Sequence, residues 1–444
     1  MVLKKKRLPQ WVMVFIGLVI YSLSTFVKFY IPSTIPYFVE FAGFLVLIYP
    51  FLQGNYRNVQ GNDRTILTIF LVWNLILILR GDLIGNFKPS ASGILGALST
   101  FIFDGSAGLA FFIPFIILMP VRLNSLYYFK RIGLVLCCVC ILLIGFHWQE
   151  VVTSTAIGMT DITLGSGEDA SIRDASNAFF FVTFLVFFLS FCYHYYKGYI
   201  NLAFPAYLLV FFFVQILGGG RGISVVAFLA IAFYIIILYK YPISTISNHK
   251  INKWGARLAA SAALAVFGYL LYFMIQNNAF EFLLHRFDEG ASHGSYFVAS
   301  NREILKRDLI SDFNSNPFSW IFGRGVNGCF ATAIYSINGL RDGIEYGYLH
   351  FILKGGIPYL LMYVYLLLHC AYLGIFRSRN LLCKAMAFYC LVNVVALYTA
   401  TGPDVTLRYF LVWFSICLLE RKQIREMSDI TIYNYFNVKG YQSN

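Results

Sequence analysis

Three groups of residues in this chain have the types and spacing for chemistry on a charged, phosphate-bearing group. The first is Gly218-Gly219-Gly220-Arg221-Gly222, which joins two apolar runs in a hairpin too short to carry Arg221 far from a bilayer. An arginine at membrane depth is costly unless it meets an anion, a carboxylate or water. Consecutive glycines let backbone N–H groups converge on a phosphate, and the helix that follows offers its N-terminus to the same place. A tight turn with a snorkelling arginine is the plainer alternative. A nucleotide P-loop is excluded, since no Gly-Lys-Ser or Gly-Lys-Thr follows.

The second group is Arg302, Arg324, Arg341 and Lys354, cations on or near the longest polar stretch of the chain, Ser300 to Pro358. Guanidinium forks suit paired phosphate oxygens better than the point charge of lysine, so these side chains could clamp a diphosphate. Ordinary salt bridging within the loop is the competing role for each. The third is Glu345, in GIEYGYLHFILKGG. Beside Tyr346 and Tyr348 its carboxylate could be partly desolvated, which raises a carboxyl pKa toward that of a useful general base. It could equally be an acid at a helix start, interacting with the dipole. Glu40 and Lys354 are further charges set in apolar runs. His285, His293, His350 and His369 show no metal-ligand spacing, so the sequence predicts neither metal nor cofactor.

These residues must be positioned by a membrane domain. The chain has 444 residues, 59% of them hydrophobic and only 12% charged, and its mean hydropathy is +0.69. Soluble domains are nearer ~45–50% apolar. Unbroken apolar runs favour helices over the alternating strands of a barrel. The expectation is an all-α polytopic fold in a single domain, with spans at roughly 11–30, 34–53, 65–80, 106–121, 132–149, 178–194, 201–217, 222–240, 256–276, 348–375, 383–400 and 405–419, about twelve in all.

The net charge of +13 does not indicate nucleic acid, because the basic residues are dealt out in small groups between apolar runs. One set of connections holds Lys4 to Arg7, Arg57, Arg64, Lys130, Arg131, Lys250, Arg377, Arg379 and Arg421; the other is richer in acids, such as Asp169, Asp174, Asp308, Asp312 and Glu345. That asymmetry puts both termini in the cytoplasm and the loops 81–105, 150–177 and 277–347 on the outer face. The basic start resembles a signal peptide but runs on as an uncleaved first span. The cysteines fall almost entirely in apolar runs and imply no disulfide framework. Within the large loop, Ser300 and Glu303 have the spacing of a capping box, predicting a helix from about Asn301 to Phe313 with Ile304, Leu305, Leu309 and Phe313 on its packing side. It should end before Asn316-Pro317 and be followed by a Gly323-Arg324-Gly325 turn.

The order of these features resembles the O-antigen ligase and O-antigen polymerase superfamily, membrane glycosyltransferases that take a glycan from an undecaprenyl diphosphate carrier. The likeness covers residues 200–375 in detail and helix count elsewhere. Arg221 matches the arginine of the family's turn and Arg302 the loop arginine that meets the carrier diphosphate. Gly323 and Gly325 match a Gly-x-Gly turn, and Leu349 and Gly356 the end of the loop motif. Where the family commonly has His-Asn, this chain has Glu345-Tyr346, a departure that weighs more against a ligase than a polymerase. The resemblance implies a bacterial inner-membrane enzyme with a periplasmic site, metal-independent and inverting. In it Arg221 and Arg302 stabilise the leaving diphosphate and Glu345 activates the acceptor, with Gly219, Gly220, Arg324, Arg341 and Lys354 binding substrate. The acceptor would be a second lipid-linked repeat unit; for a ligase it would be lipid A core or a protein. A polysaccharide flippase or transporter is the reading from another class, which the lopsided polar weight of the loop 277–347 and the unmatched halves disfavour.

Overall fold

The computed structural model describes residues 8–30, 34–54, 56, 63–84, 93–146, 229, 296–332, 339–344, 346–398 and 402–438. The expected spans at 178–194, 201–217, 222–240 and 256–276 lie outside these residues, Leu229 excepted.

The described part is mostly helical. In chain order it contains α1 (Gln10–Tyr30), α2 (Ile35–Leu52), α3 (Arg64–Ile78), α4 (Gly93–Phe103), α5 (Gly108–Phe112) and α6 (Ser125–Phe146). After them come α7 (Tyr296–Ser315), α8 (Phe318–Phe322), β1 (Phe330–Ala331), β2 (Leu340–Arg341), α9 (Gly347–Phe376), α10 (Leu381–Ala396), α11 (Leu407–Leu419), α12 (Lys422–Glu426) and α13 (Asp429–Asn437). Among the described residues, three helices are long and apolar enough to cross a membrane, at Ile35–Leu52, Arg64–Gly81 and Gly347–Phe376. Their length and composition mark a membrane protein.

A fourth span is formed if the pair Ile94–Phe103 and Gly108–Leu118, bent by 68°, counts as one. Here the structure departs from the sequence reading, which left 81–105 as a loop. GILGALSTFIF is apolar enough for a helix but has only 11 residues, about half a bilayer crossing. Asp104, Gly105 and Ser106 then turn the chain, with the Asp104 carboxylate accepting from the Ser106 N–H (2.9 Å) and hydroxyl (2.7 Å).

α1 and α2 pack through small residues. Gly17 lies against the backbone of Leu47 and Gly43 against that of Tyr21, each too close to admit a Cβ. Close backbone approach replaces the hydrophobic driving force that lipid cannot supply. Glu40 is buried in this pair beside Tyr21. The core runs on through Trp11, Phe15, Phe70, Phe129, Tyr359, Phe410 and Trp413, all fully buried.

α9 is a helix broken once, and the break follows from its sequence. Pro358 has no N–H, so the carbonyl of Lys354, its partner four residues back, has no donor within the helix. Gly356 takes φ 81° and ψ 176°, a conformation essentially restricted to glycine, and divides α9 into two helical segments. A Cβ on Gly356 would also strike the carbonyl of Ile321. Gly356→Ala is therefore expected to cost at least about 1–3 kcal/mol from backbone strain alone. Thermal unfolding of the purified protein in detergent, followed by loss of the monodisperse gel-filtration peak, should show a clear fall in midpoint.

Candidate functional site

The large loop is built against the break in α9. The backbone N–H of Arg324 donates to the carbonyl of Leu353 (2.8 Å) and that of Gly325 to Lys354 (2.9 Å). Trp73, on α3, donates its indole N–H to the carbonyl of Gly355 (3.0 Å). The helix carbonyls released at the break are thereby satisfied by loop and neighbour, as buried carbonyls must be. Gly323 and Gly325 have φ of 61° and 80°, so the Gly-Arg-Gly turn expected from sequence is present. A Cβ on Gly323 would collide with Lys354. On its other side the turn rests on the π-helical turn Leu79–Ile84 that continues α3, where Asn327 Nδ2 donates to the carbonyl of Gly81 (3.2 Å) and Arg80 Nη1 to those of Phe322 (3.2 Å) and Gly323 (3.0 Å).

α7 lies over this turn. Leu305, Leu309 and Phe313 are buried with Phe330, Ile344, Leu349, Ile352 and Leu353 in a second apolar cluster, which confirms three of the four residues expected on its packing side; Ile304 is half-buried. Each such side chain, fully buried, contributes about 1.5–3 kcal/mol to docking of the loop. α7 starts at Tyr296, so Ser300 is inside the helix and does not cap it. The apolar Tyr296-Phe297-Val298 run extends the helix past the capping-box position. Its end at Ser315, before Asn316-Pro317, is as expected.

The candidate residues separate into three sets. Arg221, Gly219, Gly220 and Glu345 lie outside the described residues. Arg302 is in the second turn of α7. Arg324, Arg341 and Lys354 are engaged with the protein itself. The Arg324 guanidinium donates to Asp312 Oδ2 (2.6 Å) and to the carbonyl of Cys329 (2.7 Å) and lies 5.0 Å from the Phe313 ring centroid. Lys354 is buried and donates to the carbonyl of Gly328 (3.0 Å), and Arg341 Nε donates to that of Gly343 (2.8 Å). The clamp expected of Arg324 and Lys354 is thus occupied in holding the loop together.

A contact ties α7 to the residue that precedes α9. The Tyr346 hydroxyl donates to Glu303 Oε1 (3.3 Å), and Lys306 pairs with Glu303 Oε2 (3.3 Å). Burial first, then the Glu303 carboxylate, raises the Tyr346 pKa, so its hydroxyl stays protonated as a donor. The hydrogen bond to Glu303 raises the Lys306 pKa and keeps that ammonium charged.

Compared with family models, curated proteins and solved structures, the chain matches none.

A polar pocket that the sequence reading missed adjoins the first turns of α9. It is lined by Phe351, Tyr363, Asn393, Gly402, Arg408 and Tyr409. Arg408 Nη2 is 3.3 Å from Asp404 Oδ2, and Thr406 Oγ1 donates to Asp404 Oδ1 (2.6 Å). Burial pushes the Asp404 carboxyl up, while Arg408 and Thr406 pull it back. The signal was there in TGPDVTLR, an Asp and Arg four apart astride the Thr406 cap.

Removing the Arg324 guanidinium should loosen the loop. Arg324→Ala and Asp312→Asn are each expected to lose about 1.5–3 kcal/mol, the range for hydrogen bonds to charged groups. Limited proteolysis near residues 323–332 should become faster in both variants, and Arg324→Lys should not restore protection, because an ammonium lacks the fork that serves Asp312 and Cys329 together.

Proposed function

We propose that this chain is a membrane glycosyltransferase that extends a polysaccharide, taking glycan from an undecaprenyl diphosphate carrier and passing it to another lipid-linked repeat unit on the periplasmic side of a bacterial inner membrane. The observation that carries the reading is the contact between Glu303 and Tyr346, made by the residues immediately following Arg302 and Glu345. It brings the start of α7 to the start of α9, where the mechanism needs a cation and a base in one neighbourhood.

In that mechanism Arg302, with Arg221, stabilises the negative charge that grows on the diphosphate as the bond from the anomeric carbon to the phosphate oxygen breaks. Glu345 accepts the proton of the acceptor hydroxyl, whose oxygen attacks the anomeric carbon from the opposite face and inverts it. Tyr346 belongs to the supporting structure, since its hydroxyl is committed to Glu303. The docked apolar face of α7 fixes the helix that carries Arg302, which supports the preorganisation that the reaction requires.

The test is polymerisation in vitro from purified lipid-linked repeat units. Arg302→Ala should reduce turnover by roughly 10²–10³-fold, the effect of losing one stabilising donor, and Glu345→Gln by roughly 10²–10⁴-fold, the contribution of a general base. Full activity in both variants would remove the proposal. Movement of the lipid-linked unit across vesicles without bond formation would transfer the chain to the flippase class.

A further inference from the structure

Farther along α9, roughly 20 Å past Gly356 at 1.5 Å per residue, a second constellation is assembled from three parts of the chain. Asp63 stands just before the start of α3, His369 lies on α9, and Glu420 follows the end of α11. His369 Nε2 is 3.2 Å from Asp63 Oδ2 and 3.9 Å from Glu420 Oε1, and one ligand atom from each of the three lies within 4.8 Å of the others. Glu420 is almost fully buried, at 2% exposure, whereas the Asp63 and His369 side chains keep 14% and 20%.

Two features separate this group from an ordinary ion pair. Asp63 Oδ2 and His369 Nε2 are buried atoms without a hydrogen-bond partner, although they lie at hydrogen-bonding distance from one another. That separation matches a shared cation, since ligand bonds of ~2.0–2.1 Å at tetrahedral angles put donor atoms ~3.3 Å apart. The second feature is charge. A protonated imidazole neutralises one of two carboxylates at most, whereas a divalent ion neutralises both and leaves the imidazole as a neutral ligand.

The surroundings fit such a centre. The backbone N–H of Asp63 donates to Glu420 Oε2 (3.4 Å) and the Cys370 thiol lies 3.6 Å from Glu420 Oε1, fixing the carboxylate from both sides. Tyr365 stacks on the His369 ring at 5.8 Å, fixing the imidazole. Such supporting contacts hold ligands in metal sites. One nitrogen and two carboxylates form a borderline donor set that suits zinc and its neighbours better than magnesium or calcium.

We propose that Asp63, His369 and Glu420 bind a divalent transition-metal ion of the zinc type, which staples the start of α3 and the end of α11 to α9. The ion is structural and lies away from the Arg302 neighbourhood, so this inference does not depend on the glycosyltransferase reading.

The experiment uses full-length, tag-free protein in detergent, stripped with chelator and reloaded with Zn²⁺ or Co²⁺. After gel filtration the wild type should retain one equivalent of zinc per chain, show the visible absorption of protein-bound Co²⁺, and unfold at a higher temperature than the stripped form. His369→Gln and Glu420→Gln should each lower retention at least tenfold. Glu426→Gln, which removes an exposed carboxylate paired with Lys422, should retain zinc fully. Wild-type protein that keeps no zinc and shows no cobalt spectrum overturns the proposal. Equal retention by the His369 and Glu420 variants does so as well. If those variants fail to fold, the wild-type cobalt spectrum and thermal shift decide by themselves.

Discussion

The carbonyl of Lys354 needs a donor that its own helix cannot supply, and much of the described architecture around the large loop answers that need. Pro358 removes the donor, Gly356 opens the helix, and the N–H groups of Arg324 and Gly325 enter the opening. An unpaired carbonyl in an apolar interior costs several kcal/mol, so a break at this depth exists only with its plug in place. Gly323 and Gly356 are required by close approach as well as by their positive φ. Any side chain at either one would push the plug off the helix.

That constraint gives the loop a fixed floor on which the rest is built. Asp312, from α7, accepts from the Arg324 guanidinium and from the Ala331 N–H (3.0 Å), and Asp308 accepts from the Thr332 hydroxyl (2.7 Å). Two acids one turn apart on α7 therefore organise the chain that follows the turn, including the short β1–β2 pairing of Phe330 with Arg341 and Ala331 with Leu340. The apolar side of α7 faces the first turns of α9. Two cations of the polar stretch, Arg324 and Lys354, serve the plug. α9 thus carries an opening filled by the loop at one level and the Asp63–His369–Glu420 constellation at another.

Much of this was legible in the sequence because it rests on local rules. Asn316-Pro317 ended α7, the two glycines around Arg324 made the turn, and the spacing of Leu305, Leu309 and Phe313 marked a packing face. The spans of α2, α3 and α9 followed from apolar length, and α1 and α11 are apolar helices at two of the other expected positions. What the sequence concealed depends on distant partners. Ser300 has the spacing of a cap, but a helix already running from Tyr296 overrides it. Arg324 reads as a phosphate ligand until Asp312 is seen across the turn. Asp63, His369 and Glu420 have no spacing in common, since three helices bring them together. The apolar stretch at Gly93–Phe103 was too short to register as a span, and its bent partnership with Gly108–Leu118 is a property of the folded chain.

The central proposal is that Arg302 and Glu345 act at one pocket. It is tested most directly by replacing both with cysteine in the full-length chain within membrane vesicles and measuring cross-linking by a short thiol-reactive reagent. Cys329, Cys370, Cys383, Cys390 and Cys417 are buried, and the other native cysteines are replaced by serine before the pair is introduced. The account predicts rapid formation of an intramolecular 302–345 cross-link, slowed when lipid-linked repeat units are added. Efficient labelling of each introduced cysteine with no cross-link between them would contradict it.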